Sequence, residues 1–95
     1  MKRFEVIANQ SVKDEFMGEL EAALPEIEYT LLPIVQGKGK KKRKDGSRTW
    51  PETNFLLVSY LDEENADKAA AIARDIRARF PAEGLFASLS EASLI

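Results

Sequence analysis

The sequence contains no cysteine and no histidine. Without thiols the chain forms no disulfides and has no thiol nucleophile, and without imidazole it lacks the most common acid–base group of enzymes. Zinc sites built from cysteine and histidine are excluded for the same reason. The serines also have no histidine partner that could activate them. We therefore expect neither catalytic residues nor a resident metal, and predict that the protein is not an enzyme.

Long hydrophobic runs are also missing. The longest apolar stretches, Tyr29–Val35 and Phe55–Ser59, are far shorter than the roughly 20 residues that a membrane-spanning helix needs. The basic start of the chain is followed by no apolar signal core. The sequence therefore predicts a cytoplasmic protein that does not insert into membranes.

The chain has 95 residues, of which 44% are hydrophobic and 32% are charged. This composition is typical of a folded protein, and the length predicts one domain spanning residues 1–95. The net charge of −2 hides a strong asymmetry. Seven of the 14 basic residues lie between Lys38 and Arg48, where only Asp45 opposes them. That segment carries +6 and the remainder −8, so an acidic body carries a cationic loop.

Hydrophobic periodicity and chain breakers predict six elements in the order βαββαβ. Ser11 and Asp62 are the predicted helix N-caps, and Pro25 and Pro81 end the two helices. The predicted buried faces are Val12, Phe16, Leu20 and Leu24 in the first helix and Ala69, Ile72, Ala73, Ile76 and Phe80 in the second. The predicted strands are Lys2–Ala8, Tyr29–Val35, Thr53–Leu61 and Leu85–Leu89. This order predicts a ferredoxin-like α+β fold, in which two helices cover one face of a four-stranded antiparallel sheet.

Two predicted strands are apolar on both faces, although a sheet with helices on one side should alternate. In the third strand Phe55, Leu57 and Leu61 point one way, and Leu56, Val58 and Tyr60 the other. In the second, Tyr29, Leu31 and Val35 oppose Leu32 and Ile34, and Pro33 predicts an edge strand or a bulge. An exposed apolar face of this size predicts a homo-oligomer with sheets packed together. Coverage by the chain's own tail or loop is the alternative.

Residues Gln36–Pro51 form a predicted loop that is rich in glycine and lysine. Its first residues, Gly37-Lys38-Gly39-Lys40, combine flexible backbone with positive charge, which favours binding of a phosphate or another small anion. A simpler interpretation is a solvated loop. Trp50 near the loop's end is either a hydrophobic anchor or, beside Arg48, a stacking surface for a base.

The layout, together with Lys2–Ala8 and the stretch Ile34-Val35-Gln36-Gly37-Lys38-Gly39-Lys40, resembles the PII and PII-like signalling proteins. The second stretch is similar to the V-x-G-x-G-[KR] step into the T-loop of that family. The resemblance implies a homotrimer that binds adenine nucleotides or other small anions in clefts between subunits and docks on a transporter or enzyme through the loop. By position, Gly37, Lys38, Gly39 and Lys40 would bind the effector. The docking residues would be Lys41, Lys42, Arg43, Lys44, Arg48 and Trp50.

The sequence departs from the PII pattern at the junction between the second helix and the last strand. PII proteins carry there a second glycine-rich loop with a lysine, whereas Phe80–Gly84 contains no basic residue and has Glu83. Two other functions stay open. The lysine-rich loop could contact nucleic acid, although the acidic body disfavours this. The trimeric layout is also similar to that of the CutA metal-tolerance family.

Overall fold

The computed structural model describes residues 1–40, 43–47 and 52–95. Its strands are β1 (Lys2–Asn9), β2 (Thr30–Val35), β3 (Gly37–Lys38), β4 (Arg43–Lys44), β5 (Asn54–Leu61) and β6 (Leu85–Glu91). Its helices are α1 (Lys13–Ala23) and α2 (Glu63–Arg79), and a single 3-10 turn, Gln10–Val12, precedes α1. The predicted order of six main elements is confirmed, and the short β3–β4 pair is an addition within the predicted loop.

The four long strands form one antiparallel sheet in the order β2-β5-β1-β6. β1 is central and pairs with β5 from Lys2↔Leu61 to Asn9↔Asn54. On its other side it pairs with β6 from Lys2↔Glu91 to Ala8↔Leu85. The predicted ferredoxin-like fold is therefore confirmed, with β2 at an edge as its proline requires.

One face of the sheet packs against both helices around three phenylalanines. The ring centroids of Phe4 and Phe16 are 6.4 Å apart, and those of Phe16 and Phe55 are 6.0 Å apart. The predicted face of α1 is buried throughout. In α2 the prediction of Phe80 as core is wrong, because its side chain remains 36% exposed and lies beneath the Arg79 guanidinium, whereas Ala66 is buried.

Helix capping follows the prediction at α2 but not at α1. The Asn65 amide donates to Asp62 Oδ1 over 2.8 Å, so Asp62 caps α2 as predicted. Ser11 was the predicted cap of the first helix, but its own amide donates to Asn9 Oδ1 over 2.9 Å. The capping side chain is thus Asn9, which ends β1 and starts the 3-10 turn that delays α1 until Lys13.

Pro33 produces a bulge in the edge strand. Leu32 pairs with Leu56 and Val35 with Asn54, so one extra residue of β2 lies between these pairs. Cross-strand partners share a face, and the extra residue therefore moves Val35 to the face of Leu32, opposite to the predicted one. Pro33 has no backbone N–H to donate to the neighbouring strand. Its carbonyl accepts a hydrogen bond from the Gln10 side-chain amide.

Candidate functional site

The sheet face opposite the helices is apolar over its half nearest the loop. It carries side chains from all four strands, and the described residues of the chain do not cover it. Phe86 is 57% exposed and Leu32 51%. Ile7, Leu56 and Val58 lie between them, half-buried. The predicted apolarity of both faces of the second and third main strands is confirmed, and we call this surface the open face.

The half of the open face farther from the loop is polar. Arg3 Nη2 lies 3.0 Å from Glu5 Oε1, and both residues project from β1 beside Tyr60 of β5. Hydrogen bonding to Tyr60, and then to Glu5, raises the pKa of the Arg3 guanidinium. The apolar area is therefore bounded by a fixed polar cluster, as is typical of interaction surfaces.

The beginning of the predicted loop folds into a small hairpin. Gly37 pairs with Lys44 and Lys38 with Arg43. Gln36 leads into this hairpin, and its side-chain amide donates to the Asp45 carbonyl over 3.1 Å. β3 and β4 therefore lie side by side, and the Gln36 side chain binds the residue that follows β4.

The base of the hairpin lies against the end of the sheet. A Cβ atom on Gly37 would lie only 2.6 Å from Asn54 Nδ2, so a side chain at residue 37 would displace the Asn54 amide. The neighbouring Asn9 is buried, and both of its side-chain polar atoms form hydrogen bonds: the amide donates to Glu52 over 2.9 Å and the oxygen caps the next turn. In the described part of the chain, no hydrogen bond involves the side-chain amide of Asn54.

A cleft of about 650 Å³ opens between the hairpin, the ends of β1 and β5, and the turn from α2 to β6. Gln36–Gly39 and Lys44 line one wall, and Ala82, Gly84 and Leu85 line the opposite wall. Ile7 and Phe86, which are cross-strand partners, continue the cleft onto the open face. The volume lies within the range of about 300–1,000 Å³ that is usual for small-molecule sites.

The walls of the cleft differ in chemistry from end to end. Lys44 supplies positive charge at the hairpin end, and no carboxylate is found among the described residues that line the cleft. Ile7 and Phe86 make the other end apolar. A site with a cationic end and an apolar, aromatic end suits a ligand that joins an anionic group to a flat ring.

Lys44 reaches across the cleft to the far wall. A Cβ atom on Gly84 would lie 3.2 Å from Lys44 Nζ, which places the ammonium group against the α2–β6 turn. The sequence assigned Lys44 to partner docking, and the structure brings it into the cleft with Gly37, Lys38 and Gly39. Lys40 is exposed and does not line the cleft.

Most of the other predicted docking residues lie outside the part of the chain that the structure describes. Lys41, Lys42, Arg48 and Trp50 lie outside the described residues, and of Arg43 only its place in β4 is described. No helix within the described ranges has the length and apolarity to cross a membrane. Nor do three or more acidic side chains come together there as metal ligands would.

Solved structures with the same fold exist, although no protein-family model and no curated protein sequence matches the chain. A protein from Thermus thermophilus described as PII-like and signalling superposes with a TM-score of 0.66 at 20% identity, over 94% of this chain and 83% of that one. CPII from Thiomonas intermedia, bound to ADP and bicarbonate, gives 0.65 at 18% identity, over 94% and 84% of the two chains. A second CPII structure, bound to ADP, AMP and bicarbonate, gives 0.63 at 17% identity, over 94% and 84%. The PII-like layout indicated by the sequence is thus confirmed at the level of the fold.

Proposed function

We propose that this chain is a PII-like regulatory protein of the cytoplasm that binds a small anionic effector in the cleft between the β3–β4 hairpin and the α2–β6 turn. The observation that carries the proposal is the composition of that cleft. Lys44 and the hairpin glycines Gly37 and Gly39 lie at one end, and Ile7 and Phe86 form the other, on a fold shared with nucleotide-bound CPII.

Adenine nucleotides are the effector class that fits both ends. The phosphates of ADP or AMP would lie beside Lys44, where a charge-assisted hydrogen bond is about twice as strong as a neutral one. The adenine ring would lie against Ile7 and Phe86, where burial of apolar surface contributes about 25 cal/mol per Å². A smaller anion such as bicarbonate, which CPII binds together with ADP, would occupy only the cationic end.

The open face supports a homotrimer with sheets packed together. Its exposed Leu32 and Phe86, with Ile7, Leu56 and Val58 between them, form an apolar surface of the kind that proteins cover by association. The cleft runs onto this face through Ile7 and Phe86. A neighbouring subunit that covers the open face would therefore also form part of the cleft wall.

The loop supports a docking role. Seven of its residues between Lys38 and Arg48 are basic, and Lys40 stands exposed outside the cleft. Such a loop suits an acidic surface on a target enzyme or transporter, and charge complementarity would steer the encounter. Effector binding at the base of the hairpin would then change the position of the loop relative to the target. The role is one of binding, without catalysis.

The test is calorimetric titration of the purified chain with ADP, AMP and bicarbonate, on a sample of known mass. We expect saturable binding of ADP or AMP by a particle of three 10.6 kDa chains. Bound ligand should raise the melting temperature with concentration. A trimer that binds none of the three ligands would contradict the effector proposal, and a monomer at working concentration would contradict the assembly.

A further inference from the structure

Lys44 is positioned differently from the other lysines of the loop. Cross-strand partners share one face of a hairpin and neighbours along a strand alternate. Gly37 and Lys44 therefore share the face that packs on the sheet end, whereas Lys38 lies on the opposite face. Because Gly37 has no side chain, Lys44 is the described residue of the hairpin whose side chain extends from this face to Gly84.

The ammonium group of Lys44 also has no counter-ion in the described ranges. Lys44 is half-buried, and no carboxylate of those ranges forms an ion pair with it. The turn that it contacts brings no basic residue, and its one acid, Glu83, does not line the cleft. An unpaired, partly desolvated cation is stabilised when an anion binds beside it.

We infer that Lys44 is the residue that binds the phosphate of the effector, and that it does so at the α2–β6 turn. Because Gly84 has no side chain, a phosphate can lie close to the backbone of the turn. The turn has no basic residue, and Lys44 of the hairpin supplies the positive charge. The ligand class is a phosphate-bearing one, with nucleoside diphosphates as the probe. This inference rests on the proposed function and assigns the charge within that site.

The first experiment compares ADP affinity in three proteins by calorimetry: the natural chain, K44Q and K40Q. Both substitutions remove one positive charge from the same loop, but only Lys44 lies in the cleft. We expect K44Q to weaken ADP binding about tenfold or more, which corresponds to loss of one charge-assisted hydrogen bond. K40Q should change the affinity by less than about threefold, the effect of a screened charge.

The second experiment approaches the contact from the turn. A methyl group on Gly84 would lie 3.2 Å from Lys44 Nζ, and the flexible end of the lysine would have to move. The backbone of Gly84 is not in the left-handed region, so G84A introduces no conformational strain. G84A should therefore weaken ADP binding while the melting temperature without ligand stays close to that of the natural chain.

A third variant tests whether the position of the positive charge, and not the total charge of the loop, determines ADP affinity. Ala82 lines the same wall as Gly84 and is exposed, so A82K brings a lysine to the turn itself. The double variant K44Q/A82K should recover most of the lost ADP affinity.

Equal ADP affinity in the natural chain and K44Q, or equal losses in K44Q and K40Q, would overturn the assignment of Lys44 and leave effector binding intact. Absence of ADP binding by the natural chain would overturn the proposed function together with this inference.

Discussion

Gly37 and Asn54 lie so close together that a Cβ atom on Gly37 would be 2.6 Å from Asn54 Nδ2. Gly37 begins β3 and Asn54 begins β5, so this contact holds the base of the hairpin against the end of the sheet. Both residues line the cleft. A side chain at residue 37 would therefore displace the Asn54 amide at this end of the cleft.

G37A should therefore destabilise the protein. The colliding group is the end of the Asn54 side chain, which can rotate, so we expect a loss of about 1 kcal/mol, the low end for overpacking, measurable as a lower midpoint of denaturant unfolding. In the double variant G37A/N54A, the colliding amide is gone and most of the loss should be recovered. Gly18 provides the control, since a Cβ there meets nothing within 4 Å and G18A should stabilise the helix by up to about 1 kcal/mol. Equal stability of G37A and the natural chain would contradict the contact.

Gln10 should be important for the edge strand. Its side-chain amide donates to the Pro33 carbonyl and, over 2.9 Å, to the Asn54 carbonyl, which joins β2 to β5 at the bulge. Q10A leaves both carbonyls without this donor, and we expect a loss of about 1–2 kcal/mol in the free energy of unfolding. The matched variant Q36A removes one exposed bond to Asp45 and should cost much less. A loss in Q36A as large as in Q10A would show that Gln10 has no special role.

Phe16 and Phe80 should differ strongly, although the sequence placed both in the core. Phe16 is fully buried and contacts two other phenylalanines, so F16A should cost about 3–5 kcal/mol. Phe80 is 36% exposed at the end of α2, and F80A should have a much smaller effect. Thermal or denaturant unfolding measures both variants. Similar losses would mean that Phe80 packs into the core.

Leu32 should be needed for association through the open face. Its side chain is 51% exposed on edge strand β2, so L32K leaves the fold of one chain intact while placing a charge within the proposed interface. We expect light scattering to report 10.6 kDa chains in place of the trimer. L94K, which adds the same charge at a 59% exposed residue after the last strand, should stay trimeric. A trimer that survives L32K would place the interface elsewhere.

Local patterns in the sequence were enough to predict the main elements and the open face. The apolar stripe of α1 has helical spacing and the core residues of β1 alternate at a period of two, because each element buries a face set by its own geometry. In β2 and β5 the alternation is missing, which indicated the open face. Asp62 was predicted as a cap because it lies directly between an apolar strand and a helix that begins with two glutamates. Around α1 the sequence offers Asn9 and Ser11 together, and only the turn that follows β1 decides in favour of Asn9.

The cleft could be predicted only in part. The loop residues Gly37–Gly39 were found because glycine and lysine are clustered there. The role of Lys44 depends on its distance to Gly84, 40 positions along the chain, and a contact between two elements leaves no local pattern. The bulge is a similar case, since Pro33 indicates that the strand is irregular but not that Val35 changes face.

The most direct test of the account is a titration of the 15N-labelled protein with ADP, followed through the backbone amide signals of Gly37, Gly39 and Gly84. These glycines stand on opposite walls of the cleft, and their signals are few enough to assign individually in a chain of five glycines. We predict that all three shift together and saturate at one ligand concentration, while the signal of Gly18 on α1 stays unchanged. Saturable ADP binding that moves none of the three would contradict the site, and no shift at any ADP concentration would contradict the function.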